Sequence, residues 1–152
     1  MRFQSIGLLI LACSSLSTAA TIRKEIHINV ESAAVWDAVR DFNNVDKRLV
    51  PGFVVEVQAG DGGRVVTFAN GAKAKELLVS TDDNLRRLVY AIADGHFTTY
   101  NASVQAFPEG KHGCLLVWIV DLLPNSSESY IKTQMDSAAI IMKDTLEKAS
   151  RK

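Results

Sequence analysis

Residues 64–93, RVVTFANGAKAKELLVSTDDNLRRLVYAIA, contain three strand-like runs separated by two turn signals. Asn70-Gly71 is a strong hairpin signal, because both residue types accept the positive φ angles of a two-residue turn. Asp82-Asp83-Asn84 is a second cluster of turn-forming residues. The runs 64–69, 72–81 and 87–93 are therefore predicted to form three consecutive antiparallel strands.

The same pattern continues on both sides of this stretch. Three further strands are predicted at 53–59, 97–107 and 114–123, because Gly, Pro or Asp-Gly turns bound each run. Residues 22–30 alternate between apolar and polar side chains, which predicts a half-buried first strand. All strand connections after residue 53 are of hairpin length, so the sheet is predicted to be an antiparallel meander.

Three helical segments are predicted around these strands. Ser32 is expected to cap a short helix, in which Val35, Ala38, Val39 and Phe42 recur at helical spacing. A second helical turn is predicted at 45–49, before Pro51-Gly52. A long C-terminal helix is predicted to be capped by Asn125 or a neighbouring Ser, with Glu128 supporting the cap. Its predicted buried stripe consists of Ile131, Met135, Ala138, Ile141, Met142, Leu146 and Ala149.

The order of elements is strand, two short helices, six strands and a long helix. This order predicts an α+β fold in which a curved seven-stranded antiparallel sheet wraps around the C-terminal helix, the helix-grip architecture. A curved sheet that grips one helix leaves space between them, and such space is commonly a ligand pocket.

Charge and composition exclude several classes of protein. The 152 residues carry 17 Lys and Arg against 17 Asp and Glu, a balance that argues against nucleic-acid binding. Three His and two Cys are too few and too scattered for a zinc framework. Neither a metal site nor a cofactor is predicted.

Residues 1–20 have the three-part pattern of a secretory signal peptide. Arg2 precedes the apolar run 6–13, and small residues follow it up to Ala20. Cleavage is predicted near Ala19 or Ala20. The remaining domain, 21–150, is then predicted to lie in the periplasm or outside the cell. Two alternatives remain: a buried first helix, and lipoprotein processing at Cys13. The apolar run is too short to span a bilayer, so no stable membrane insertion is expected after its removal. Cys114 would then be the remaining cysteine, without a disulfide partner, and is predicted to be a small buried hydrophobe.

Several motifs carry a resemblance to a known superfamily. They are Arg64 with Asn70-Gly71, Lys75-Glu76-Leu77-Leu78, Thr81-Asp82-Asp83, Arg87-Leu88-Val89-Tyr90, Tyr100-Asn101-Ala102-Ser103-Val104, and Cys114 with Val117-Trp118. The chain resembles the SRPBCC, or START-like, superfamily of polyketide cyclase/dehydrase-like and birch-pollen-allergen-related proteins. In pattern it is closest to exported bacterial members and to the plant group of abscisic-acid receptors and lachrymatory-factor synthase. The receptors' Ser-Gly-Leu-Pro-Ala gate is absent, since Ala69-Asn70-Gly71-Ala72 stands there, which argues against a hormone-receptor role.

Arg64 and Glu76 are the main candidate site residues. They stand in central strands, at positions that resemble the cavity-facing charges of the plant group. Facing inward, the pair would orient the polar end of a ligand or move a proton. The alternative is that both are surface charges at strand ends.

The other candidate ligand-binding residues are mostly apolar. Tyr90 and Tyr100 combine an apolar ring with a hydroxyl that can reach a ligand, although ordinary core packing is an equal alternative. Trp118 is predicted either to line the pocket or to pack beneath the helix. Ile131, Met135, Ala138 and Met142 are expected to close the cavity from the helix side. His96 is expected to be an exposed turn residue at the cavity mouth.

Three functions are compatible with this pattern. The first is a secreted or periplasmic protein that binds a hydrophobic, lipid-like or polycyclic small molecule. The second is a cyclase- or dehydratase-type enzyme that uses Glu76 and Arg64 in the same cavity. The third, implied by the resemblance to exported bacterial members, is an accessory protein to an exported oxidoreductase, with an exported protein as partner.

Overall fold

The computed structural model describes residues 19–151. The elements are β1 (Ala20–Ile28), α1 (Ser32–Val39), α2 (Val45–Arg48), β2 (Val54–Gly60), β3 (Gly63–Phe68), β4 (Lys73–Asp82), β5 (Arg87–Ile92), β6 (Thr99–Glu109), β7 (Gly113–Leu123) and α3 (Glu128–Ala149). Two short 3₁₀ helices, Phe42–Asn44 and Asn125–Ser127, precede α2 and α3. The predicted signal peptide and the Cys13 alternative lie almost wholly outside the described residues.

All strands belong to one antiparallel sheet with the order β1-β7-β6-β5-β4-β3-β2. The predicted meander from β2 to β7 is confirmed, and β1 pairs with β7 at the far edge. The Asn70-Gly71 turn closes as expected, with the Gly71 amide donating to the Phe68 carbonyl at 2.9 Å and Gly71 at φ 84°. The α+β helix-grip fold is therefore confirmed.

One face of the sheet forms the core. In β1 the alternation holds, with Ile22, Ile26 and Ile28 buried and the residues between them mostly exposed. Cys114 is a free, buried cysteine in β7, as predicted, and burial raises the pKa of its thiol to about 11. The short helix α1 packs on this core through Val35, Trp36 and its neighbours.

Helix α3 is attached to the sheet most firmly along β1. The Lys24 ammonium lies 2.6 Å from an Asp136 carboxylate oxygen, and the Asn29 amide donates to Glu147 at 2.9 Å. The Lys143 ammonium also donates to the His27 carbonyl. The buried residues of α3 are Ile131, Met135, Ala138, Ala139, Met142 and Leu146.

Three sequence predictions about helix detail are wrong. Ser32 does not cap α1, because it is already the first helical residue and its buried hydroxyl accepts from Arg86 at 2.6 Å. No side chain caps α3, because the 3₁₀ helix Asn125–Ser127 leads directly into it. Ala149 is exposed because α3 outruns the sheet, Ile141 is only half-buried, and Ala139 is buried instead.

No helix within residues 19–151 is both long and apolar enough to cross a membrane. Strand β1 begins at Ala20, whose side chain is buried opposite Leu122. Ala20 therefore belongs to the folded sheet.

Candidate functional site

A cavity of about 400 Å³ lies between the inward face of the sheet and α3. Two lining residues have small side chains, Ala74 on β4 and Ala138 on α3, and these fill little of the space. Larger apolar residues complete the lining, among them Val39, Val66, Leu88, Val104 and Met142. The cavity is thus a mainly apolar space enclosed by α1, α3 and strands β2 to β7.

Arg64 and Glu76 form a buried ion pair on the wall of this cavity. The two residues are direct neighbours across β3 and β4, and each is 7 % exposed. Nε and Nη2 of Arg64 lie 2.6 and 2.5 Å from Oε2 of Glu76, and Nη1 donates to the Phe42 carbonyl. The Phe42 ring stacks on the guanidinium, with Cζ 3.7 Å from the ring centroid. Both charges are therefore inward, and the strand-end surface alternative is wrong.

Glu76 is held in an environment that disfavours its charge. Burial raises the pKa of its carboxyl above the ordinary value, and the nearby Arg64 opposes this only in part. Within the described residues, Oε2 accepts from Arg64 whereas Oε1 has no hydrogen-bond partner. Oε1 is therefore the atom of the pair that can exchange a proton or a hydrogen bond with a ligand.

Tyr90 and Tyr100 add two buried hydroxyls to the same cavity. They are 7 % and 6 % exposed, and their hydroxyls contact each other, with the Tyr90 hydroxyl also close to the Trp118 indole. Burial is the main cause that raises the pKa of both tyrosines, and the Glu76 charge raises each further. Their rings pack on aromatic neighbours, Tyr90 on Phe42 and Tyr100 on Phe97, with centroids 6.3 and 5.0 Å apart.

Trp118 lines the cavity from β7 and is half-buried. Its indole Nε1 is shielded from solvent and has no hydrogen-bond partner in the described part of the chain. The sequence predicted that Trp118 either lines the pocket or packs beneath the helix, and the structure shows it on the pocket wall.

The structure brings all nine predicted residues to one cavity. Besides the five polar and aromatic side chains, the α3 residues Ile131, Met135, Ala138 and Met142 border it. That these residues bind a ligand stays a prediction. Residues 19–151 contain no cluster of His, Cys, Asp and Glu suited to a metal ion.

The loop between β5 and β6 also borders the cavity. His96 is exposed in this loop, as predicted, and its Nδ1 lies 2.9 Å from an Asp94 carboxylate oxygen. Sequence reasoning missed Phe42 as a site residue and assigned it only to the core. Its backbone carbonyl gives no sequence signal, because any residue type would supply it.

The sequence was compared with protein families and with known proteins. A family model described as "Polyketide cyclase / dehydrase and lipid transport" matches residues 19–147. No curated protein matches the sequence significantly.

Solved structures with a similar fold come from bacteria and a plant. An uncharacterized protein from Bacillus thuringiensis is 15 % identical with a TM-score of 0.75, covering 84 % of this chain and 98 % of that one. The protein XoxI from Bacillus cereus is 18 % identical with a TM-score of 0.74, covering 86 % and 94 %. Norcoclaurine synthase from Thalictrum flavum is 17 % identical with a TM-score of 0.68, covering 97 % of both chains. Identities this low establish a shared fold and nothing about activity.

Proposed function

Because the chain belongs to the polyketide cyclase/dehydrase and lipid transport family, we propose that it binds a hydrophobic small molecule between the sheet and α3. The ligand class is lipid-like or polycyclic. The family description spans both enzymes and lipid carriers, so membership alone does not choose between catalysis and binding.

The cavity is the observation that supports this proposal most directly. Its volume of about 400 Å³ falls in the range of small-molecule sites, which are usually apolar with a few placed polar groups. Apolar walls supply roughly 25 cal/mol for each Å² of ligand surface removed from water. Norcoclaurine synthase, which shares the fold, is known in complex with dopamine and hydroxybenzaldehyde, so the fold accommodates small aromatic molecules in that protein.

Two measurements test the proposal. Native mass spectrometry of the purified protein should detect a bound apolar molecule, and the uncharged dye N-phenyl-1-naphthylamine should bind and be displaced by it. Filling the cavity from α3 with Ala138→Leu, or from β4 with Ala74→Leu, should weaken dye binding at least about tenfold, or about 1.4 kcal/mol.

Ser137→Leu is the matched control, because Ser137 is exposed on the same helix. It should leave dye affinity unchanged. Absence of both a co-purified molecule and dye binding would contradict the proposal, as would dye binding that neither cavity-filling variant weakens.

Glu76 favours a second candidate function, a dehydratase- or cyclase-type reaction. Its buried carboxyl has a raised pKa and a free Oε1, which suits a group that takes and returns a proton. In a dehydration, Oε1 removes the proton from the carbon next to a ketone. The double bond forms as the β-hydroxyl leaves, and that proton returns to the hydroxyl as water.

The probe for this reaction is 4-hydroxy-4-(2-naphthyl)butan-2-one, which loses water to give an absorbing enone. Under the catalytic hypothesis, Glu76→Gln abolishes enone formation and leaves dye binding largely intact. Turnover that survives in Glu76→Gln would exclude this mechanism. If the wild-type protein gives no turnover, the binding function stands alone.

We also propose that the protein acts in the periplasm or outside the cell, on the basis of the leader pattern at residues 1–20. Cleavage after Ala19 would leave β1 intact, since β1 begins at Ala20. Expression of the full chain in a Gram-negative host, followed by mass spectrometry, should yield periplasmic protein that starts at Ala20 or Thr21. Unprocessed cytoplasmic protein would contradict export, and a lipid-modified Cys13 would establish the lipoprotein alternative. An exported protein partner stays a prediction.

A further inference from the structure

The cavity wall carries hydrogen-bonding groups that a ligand can use. The indole Nε1 of Trp118 is buried and has no hydrogen-bond partner within residues 19–151. The hydroxyls of Tyr90 and Tyr100 border the same cavity, in residues that are 7 % and 6 % exposed, and contact each other. Buried polar groups in folded proteins normally have partners, because leaving one unpaired is costly. An unpaired N–H donor in the same apolar cavity as two phenol hydroxyls indicates a ligand that accepts hydrogen bonds.

The two tyrosines offer hydrogen-bond donors. Burial and the nearby Glu76 keep both phenols protonated, so each hydroxyl has one hydrogen to donate. The two hydroxyls lie next to each other, where a ligand oxygen can replace their mutual contact. A carbonyl oxygen has two lone pairs and can accept from both hydroxyls at once.

The cation in the cavity is already engaged by protein groups. Nε and Nη2 of the Arg64 guanidinium both face Oε2 of Glu76, Nη1 donates to the Phe42 carbonyl, and the Phe42 ring covers one face of the guanidinium. The other basic residues of the lining, Lys73 and His96, are exposed. Three carboxyl groups, those of Asp41, Glu76 and Asp94, also border the cavity. A carboxylate would lose its hydration there without gaining a free cationic partner.

We propose that the cavity selects uncharged ligands whose carbonyl oxygen accepts hydrogen bonds from Tyr90 and Tyr100, and that it rejects carboxylates of the same shape. This inference rests on the proposed binding function and makes it specific. Neutral aromatic or lipid-like ketones and aldehydes fit the cavity, whereas fatty acids and aromatic acids do not.

Probes that share one ring system test the inference. 2-Acetonaphthone, 2-methylnaphthalene and 2-naphthoate differ in the substituent and carry a ketone, a methyl group and an anion. Their affinities are measured by displacement of N-phenyl-1-naphthylamine. The ketone should bind about tenfold tighter than the hydrocarbon, because only the ketone accepts hydrogen bonds. 2-Naphthoate should bind at least tenfold more weakly than the ketone.

Tyrosine variants locate the carbonyl. Tyr90→Phe and Tyr100→Phe should each reduce the preference for the ketone over 2-methylnaphthalene about threefold or more, while hydrocarbon binding and the thermal unfolding midpoint stay close to wild type. Ser137, whose exposed hydroxyl lies on α3 and does not border the cavity, provides the control. Ser137→Ala should leave the preference in place. Loss of the preference in this variant alone would put the carbonyl outside the cavity and overturn the inference.

The outcomes separate this inference from the proposed function. If neither the dye nor 2-methylnaphthalene binds, the binding function itself fails. If both bind, and 2-naphthoate binds as tightly as the ketone, the selectivity for uncharged carbonyls over carboxylates is overturned while the binding function stands. The same conclusion follows if neither inner tyrosine variant changes the preference.

Discussion

Arg64 and Glu76 are charged residues in the middle of a sheet, and both are almost fully buried. Burial of an ion pair is costly unless its geometry is good and its remaining hydrogen-bonding groups find partners. Arg64 meets this condition, because Glu76, the Phe42 carbonyl and the Phe42 ring surround its guanidinium. Glu76 meets it only in part, since Oε1 is unpaired within residues 19–151. This imbalance is the reason that we expect a ligand to meet the pair at Oε1 of Glu76.

Removing one partner of the buried pair should be severe. Arg64→Met leaves the Glu76 carboxylate buried without a cation and is expected to lower the free energy of unfolding by about 3–5 kcal/mol. Adding Glu76→Leu to this variant should recover most of the loss, because a buried apolar pair needs no counter-charge. Urea unfolding of the two single variants and the double variant measures the coupling.

Arg23 and Glu25 provide the control for this cycle. They form an ion pair at 2.6 Å, but both side chains are about half exposed. Arg23→Met should change the free energy of unfolding by less than about 1 kcal/mol. Equal losses for Arg64→Met and Arg23→Met would show that burial of the inner pair has no energetic consequence.

The pKa of Glu76 has a consequence for stability against pH. The pKa of the Glu76 carboxyl is higher in the folded state than the unfolded value of 4.5. Its contribution to stability is therefore complete below pH 4.5 and is lost as the pH rises through the folded-state pKa. The free energy of unfolding of the wild type, relative to Glu76→Gln, should therefore fall as the pH is raised from about 4 to about 8. Urea titrations at several pH values measure it. A difference that grows with pH would mean that Arg64 outweighs burial and lowers the pKa.

The sequence predicted part of this residue-scale picture. The inward position of Arg64 and Glu76 was implied by the resemblance to the plant group, and the surface alternative stayed open because a shift of one residue in register turns a side chain to the other face. The structure pairs them directly across β3 and β4. The third member of the group, the Phe42 carbonyl, comes from a distant segment and from the backbone, so side-chain pattern could not indicate it.

At the scale of elements, the close approach of β3 and β4 depends on Gly63. A Cβ atom at this position would overlap the Glu76 carbonyl oxygen and lie 3.2 Å from the Leu77 Cα. These are backbone atoms, so the two strands would have to separate next to the ion pair. The sequence showed Gly62-Gly63 only as part of a turn, because the approach of a neighbouring strand has no local signal.

Gly63→Ala is therefore expected to destabilise the protein by about 1–3 kcal/mol and to weaken dye binding. Gly60→Ala is the matched control at the other side of the same turn, where the nearest contact to an added Cβ is 3.9 Å. Its effect on both measurements should be clearly smaller. Thermal unfolding and dye titration of the two variants test this, and equal effects would show that strand separation at Gly63 is not limiting.

Helix α3 combines core packing with closure of the cavity. Met135 is 1 % exposed and faces the sheet, whereas Ile140 is 73 % exposed on the opposite side. Met135→Ala should lower the free energy of unfolding by about 2–5 kcal/mol, because a buried side chain is removed. Ile140→Ala should change it by no more than about 0.5 kcal/mol. Urea unfolding distinguishes the two, and equal losses would contradict the placement of α3.

Hydrophobic spacing predicted this buried stripe of α3 well, but not the start of the helix. The 3.6-residue period reports which side is buried. Competing polar residues at 125–128 allowed several caps, and the structure uses a 3₁₀ turn instead of any of them.

At the scale of the whole molecule, element order determined the architecture. Hairpin-length connections leave few topologies for six successive strands, and one long amphipathic helix can cover only one face of the sheet. The size of the cavity was not predictable in the same way. It depends on the summed volumes of side chains from α1, α3 and six strands, among them the small residues Ala74 and Ala138.

The most direct test of ligand binding between the sheet and α3 uses the methionine methyl groups. The chain has three methionines, and two of them, Met135 and Met142, line the cavity. In protein with ¹³C-labelled methionine methyl groups, saturation with 2-acetonaphthone should shift both signals and give intermolecular nuclear Overhauser effects from the naphthalene protons to both methyl groups. Saturable binding that leaves both signals unmoved, or no binding at all, would contradict a ligand site in this cavity.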